Sequence, residues 1–273
     1  MTAVWGWTFV LVKDAISHYP TVPFLALRFG LALLVMIALV RRPPDRRTLQ
    51  VGVLIGLALS AGYLLQTIGL QSTSPGNAGL ITGLFVVFTP LLERVFGRPV
   101  PRRTLLAIAA ALLGTVLLAG GGGRIGFGDL VMVGCALSFA LHIVLLSRWS
   151  PGLAAAPLAM VQMATATALF GLGSSSGFHL PGGPVWVAIV ITGVLASAGG
   201  FYIQTWAQAH LSASRTALIL ASEPAWALLF AVLLAGQRFG PVEAVGAGLL
   251  LVAIFGHEVA SLNLRLPHGN RTA

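Results

Sequence analysis

Residues 62–67 read GYLLQT, and residues 200–205 read GFYIQT, 138 positions further on. Two other matches share a spacing of 134. Pro23 and Arg28 of PFLALR match Pro157 and Gln162 of PLAMVQ, and FTP ending at Pro90 matches SEP ending at Pro224. The chain therefore repeats at about half its length. The breakpoint is the Gly-rich stretch AGGGGRIGFGD, residues 119–129, which divides it into units 1–123 and 124–273. Each unit holds five apolar runs broken by charge, Pro and Gly: 2–16, 23–40, 51–70, 75–96 and 103–120, then 127–147, 154–173, 184–209, 212–235 and 241–261. An odd number of crossings sets the two units in the membrane in opposite senses. Inverted repeats of this kind build alternating-access transporters, with the substrate site between the halves.

Composition agrees with a membrane chain. Of the 273 residues 57% are hydrophobic and 8% charged, with a mean hydropathy of +0.92. A soluble domain carries about 25% charged residues. The apolar runs lack the two-residue alternation of barrel strands, so the expected fold is an all-α membrane protein with ten transmembrane helices. Gly52/Gly56 and Gly79/Gly83 have the spacing that lets helices approach closely. Cys135, the single cysteine, lies inside an apolar run and reads as a packing residue.

The net charge of +9 is distributed by topology. Arg41, Arg42, Arg46 and Arg47 share one side with Arg94, Arg98, Arg102, Arg103, Arg148, Arg215, Arg265 and Arg271. Lys13, Arg124 and Arg238 fall on the other. The positive-inside rule places both termini in the cytoplasm. A nucleic-acid binder would instead gather its basic residues with aromatics on one surface, so no nucleic-acid partner is expected.

The order and spacing of WGWTFVLVKDA, PFLALRFGLA, the Gly-rich hinge before GDLV, and ASEPAWALLFAVLLAGQRF resemble the EamA-like branch of the drug/metabolite transporter superfamily. The resemblance covers nearly the whole chain. It implies ten helices in two inverted five-helix repeats, moving small metabolites or drugs across the cytoplasmic membrane, the bacterial inner membrane. One departure stands out: the family's GE near the end of the ninth helix is Gly236-Gln237 here. At a spacing of 134 Trp5 aligns with Phe139, well inside the sixth run. The first helix is therefore expected to lack roughly two turns at its front.

Of seven acids, Asp14, Asp45, Asp129, Glu243 and Glu258 lie near helix ends or in loops, and Glu93 lies near the end of the fourth run. Glu223 alone falls at the centre of a run. A carboxylate at that depth either faces a cavity, where it binds a cation or a proton, or stays protonated between helices. Tyr63, Gln66 and Thr67 share one helical face, and Tyr202, Thr205 and Trp206 share another with Gln204 beside it. These stripes suit a small-molecule pathway or interhelical hydrogen bonds equally well. His142, Gln162, Trp5 and Trp226 are further candidates for substrate contact. Arg28 either contacts substrate or snorkels and pairs locally.

GxGxxG at 121–126 has no βαβ unit around it, and GxSxG at 173–177 lies in a loop rather than a strand-to-helix elbow. His257-Glu258 lacks the second His of a zinc helix, so neither a cofactor nor a metal is expected. The expected function is secondary transport, with export as the direction. An intramembrane lipid-modifying enzyme and a non-transporting receptor or assembly protein are the alternatives. Expected partners are the bilayer and a small-molecule substrate, with a homodimer left open.

Overall fold

The computed structural model describes residues 1–97, 102–119, 126–174, 178–210 and 220–263, excluding the side chains of 103, 104, 108, 112, 119 and 257–263. Arg98, Arg124, Arg215, Arg265 and Arg271 lie outside the described residues. So do the side chains of Arg103 and of His257-Glu258, most of the 121–126 and part of the 173–177 Gly-rich matches, and the front of the 212–235 run.

The described residues form helices and short connections, without strands. The helices are α1 (Thr2–His18), α2 (Thr21–Leu39), α3 (Arg46–Ser72), α4 (Pro75–Val95), α5 (Arg102–Ala119), α6 (Phe127–Trp149), α7 (Ala155–Gly173), α8 (Gly183–His210), α9 (Glu223–Ala235) and α10 (Pro241–Asn263). Six of them, α2, α3, α4, α6, α7 and α8, are long and apolar enough to cross a membrane; α9 and much of α5 and α10 form shorter apolar helices. Leu106, Leu172, Leu180 and Val252 are among many large apolar side chains turned outward, as lipid requires. This is a multi-pass membrane protein.

Local chemistry sets the ends. The Asp45 carboxylate caps α3 by accepting from Thr48 N at 2.7 Å. Ser74 caps α4 ahead of Pro75, and Gly236 closes α9 at φ 62°, where a side chain would be strained. Gln237 binds the start of α4. Its Oε1 accepts from Gly76 N at 2.9 Å, and its Nε2 donates to Ser74 Oγ at 2.8 Å and Asn77 Oδ1 at 3.3 Å. A glutamate could accept but could not donate.

Contacts between the two units pair like with like: α2 packs on α7, α4 on α9 and α5 on α10. The remaining large contacts come in matched sets. α1 packs on α9 as α6 packs on α4, α3 on α7 as α8 on α2, and α3 on α6 as α8 on α1. Small residues make these approaches possible. Gly52 and Gly56 of α3 lie against Val161 and Thr165 of α7, and Gly79 and Gly83 of α4 lie against Ala227 and Pro224 of α9.

Two helices are interrupted. In α4 the ladder tightens at residues 83–84, where Leu84 N bonds to Ile81 O at 3.0 Å. α8 passes through a π-helical segment, Ile191–Gly199. Such segments are frequent at functional sites.

Candidate functional site

One cavity lies where the two units meet. Trp5, Thr8 and Phe9 of α1, Tyr63 and Gln66 of α3, and Phe85 of α4 line it from the first unit. Phe139, His142 and Ile143 of α6, Phe201 and Gln204 of α8, Leu220 ahead of α9 and Glu223 in its first turn line it from the second. The sequence spacings run through this list. A step of 134 relates Trp5 to Phe139, Thr8 to His142 and Phe9 to Ile143, and a step of 138 relates Tyr63 to Phe201 and Gln66 to Gln204.

The opening motif explains how the wall is built. A side chain at Gly62 would meet the Phe139 ring at 2.6 Å, and one at Gly200 would meet Trp5 Nε1 at 2.8 Å. Each motif glycine thus seats an aromatic from the other unit. Trp5 is fixed further by donating Nε1–H to Ala196 O of the π-helical segment at 2.8 Å, and it packs on Phe201 at 5.4 Å. Tyr63 stands edge-on to Phe139 and Phe201, at 5.3 and 5.8 Å.

Glu223 is 8% exposed and lies in the first turn of α9, immediately after a break at residues 221–222. The positive end of that helix favours a negative charge there. Phe85 likewise follows the break in α4, so both interruptions deliver a residue to the cavity. No described residue hydrogen-bonds the Glu223 carboxylate or the Gln66 amide. Both are open to a ligand.

The other polar groups are committed. His142 Nε2 contacts Gln162 Oε1 at 2.9 Å, and Gln162 Nε2 donates to Leu158 O at 3.3 Å and Thr205 Oγ1 at 3.4 Å. Gln204 donates to Gln208 Oε1 at 2.9 Å, and Gln208 in turn donates to Ile143 O at 3.2 Å.

Of the ten residues singled out in the sequence, Glu223, Gln66, Tyr63, Gln204, His142 and Trp5 line the cavity. Four do not. Tyr202 is 39% exposed and faces outward, because the position equivalent to Tyr63 is Phe201, one residue earlier. Trp226 is also 39% exposed and stacks on Phe230, while its backbone packs against Gly6. Gln162 stands one step behind His142. Arg28 is fully buried behind Tyr63, its guanidinium 4.5 Å from the ring centroid and its Nε donating to Ser197 Oγ at 2.9 Å, with Nη2 unpartnered among the described residues. Of the residues missed, Phe139, Thr8 and Phe201 were reachable by carrying the two spacings from Trp5, His142 and Tyr63, whereas Phe85 and Leu220 carry no such signal.

The cavity volume is about 40 Å³, room for a few waters, whereas sites for drug-sized ligands run to about 300–1,000 Å³. As it stands the site is too narrow for such a ligand.

Comparison with known proteins places this arrangement. The model of the EamA-like transporter family matches twice, over residues 1–120 and 126–257. An uncharacterized transporter of Archaeoglobus fulgidus is 30% identical over 255 residues, covering 92% of this chain and 81% of its own length. The uncharacterized inner membrane transporter YedA of Escherichia coli K12 is 23% identical, over 92% of this chain and 86% of its own length. A probable amino-acid metabolite efflux pump of Salmonella typhimurium is 32% identical over 121 residues, 43% of this chain and 40% of the pump. A solved crystal structure with 22% identity superposes at a TM-score of 0.67, covering 97% of this chain and 96% of its own, and shares the fold. These relatives are transporters rather than enzymes, and the chain belongs to the EamA-like transporter family.

Proposed function

We propose that this chain is a secondary transporter that exports small molecules across the cytoplasmic membrane by alternating access. Ten crossings form two five-helix units of opposite sense, with both termini in the cytoplasm. The observation that carries the reading is the cavity itself: five pairs of repeat-related residues line it, between units whose helix contacts come in matched sets. Rocking one unit against the other would open that space to either side in turn. Export is favoured by the efflux pump among the relatives, and the inner membrane by YedA.

Among the described residues Glu223 is the only carboxylate in the cavity wall and none hydrogen-bonds it, so it takes either a cationic group of the substrate or a proton. Proteoliposomes loaded with candidate amines and amino acids test the reading. The expected result is saturable, pH-dependent flux that Glu223→Gln abolishes or makes pH-independent, with normal membrane insertion. Absence of flux for any of them, with correctly inserted protein, overturns transport of this class. Wild-type flux with unchanged pH dependence in Glu223→Gln leaves the residue a packing group. For the topology, reporters fused at Ala273 and Gly122 should report opposite sides; the same side for both overturns the ten-crossing arrangement.

A further inference from the structure

A second concavity lies on the outside of the molecule. It is a groove of about 650 Å³ between α2, α3 and α7. Leu33 and Ile37, Leu49, Val53 and Leu57, and Met160 and Leu169 supply its walls, and Pro44 closes one end. The lining is apolar apart from Thr165, whose hydroxyl is spent on Val161 O at 2.9 Å. Nothing in the groove could recognise a polar ligand.

Its closed end is chemically different. Pro44 belongs to RRPPDRR, residues 41–47, in which Arg41, Arg42, Arg46 and Arg47 are all exposed. The loop's one acid, Asp45, holds the Thr48 amide as a helix cap. Four cations therefore crowd one mouth of an apolar trough.

Length decides what fits. From Met160 to Leu169 the trough follows α7 for about 13 Å, at 1.5 Å of rise per residue. One leaflet of hydrocarbon is about 15 Å deep, half of the roughly 30 Å core. A docked transmembrane helix of a second copy would need a surface of full bilayer depth. A single acyl chain needs only one leaflet.

We infer that this groove is a binding site for an anionic phospholipid, with an acyl chain lying between α2, α3 and α7 and the phosphate held by the arginines of residues 41–47. The lipid would then be held by a helix pair from opposite units, α2 and α7, and would brace one leaflet side of the contact across which the units move. The inference stands on the groove and its charge, independently of whether the chain transports.

Native mass spectrometry of the full-length protein in detergent, with phosphatidylglycerol or phosphatidylcholine of identical chains, tests it. Phosphatidylglycerol should be retained preferentially. Each arginine near an anionic headgroup contributes about fivefold, so Arg41→Gln with Arg42→Gln should weaken that retention about 30-fold. Arg94→Gln, which removes an exposed cation at the end of α4, should leave it unchanged. Ala168→Trp should fill the trough and release both lipids. Equal retention of the two lipids overturns the inference, as does an equal effect of Arg94→Gln. A stable dimer that Ala168→Trp dissociates overturns it in favour of a second copy.

Discussion

Gly62 and Gly200 occupy the same place in two copies of one motif, and each seats an aromatic ring from the opposite unit. The rings they seat, Phe139 and Trp5, are themselves repeat partners. Around this matched shell the charges do not match. Arg28 in the first unit faces Gln162 at the equivalent position of the second, and Glu223 in the second unit corresponds to Thr89 in the first. Thr89 spends its hydroxyl on Phe85 O at 2.7 Å, one turn back in its own helix, whereas the Glu223 carboxylate opens into the cavity. A repeated shell supplies two similar surfaces. The carboxylate stands on one wall of that shell only.

If the shell is what holds the units in register, breaking it should cost most where the ring is buried. Phe201→Ala removes a ring that contacts Trp5, Tyr63 and His142 and should cost about 3–5 kcal/mol. Tyr202→Ala, one residue on and facing outward, should change the melting temperature in detergent little. Similar losses from both would deny that Phe201 is the true counterpart of Tyr63. The glycines sharpen the comparison. Gly62→Ala and Gly200→Ala should each cost about 1–3 kcal/mol through overpacking. Gly200→Ala should be the worse, because Trp5 is tied to Ala196 O and cannot swing aside as Phe139 can. Equal costs would mean that the two seats are energetically alike despite that bond.

A smaller loss is expected at Gln237→Glu. The carboxylate keeps the bond from Gly76 N but loses both donations, to Ser74 and Asn77, for about 1–2 kcal/mol. A gain in stability would show that this helix start prefers an acid.

Much of this was legible from the repeat. The small-residue contacts, the helix positions and six of the cavity residues follow from motif spacing and from the cost of burying a carboxylate. Tyr202 turns outward because position outweighs residue type: only the register of GFYIQT against GYLLQT says that Phe201 turns inward. The π-helical segment ahead of that motif has no sequence signal of its own. Its consequence, a backbone carbonyl turned to Trp5, shows only in three dimensions. The commitment of His142 to Gln162 was equally hidden, since nothing in their separation of twenty residues requires them to meet.

The smallest effect should come from the front ends of the two motif helices, which are capped differently. α3 begins with Asp45, whose carboxylate accepts from Thr48, whereas α8 begins with Gly182 and has no side-chain cap. The hydrogen bonds from the Thr48 side chain and backbone hold the Asp45 carboxyl below its ordinary range. In the unfolded chain it titrates near 3.9. A carboxyl depressed in the native state adds stability that is present above that value and fades as the pH falls through the native one. Asp45→Ala should therefore lower the melting temperature by about 2 °C at neutral pH and by less at low pH. Gly182 has an extended backbone at φ −70°, which an aspartate adopts without strain. Gly182→Asp should then raise the melting temperature by a similar amount with the same pH dependence. A pH-independent gain, or none, would mean that α8 does not use its first turn as α3 does.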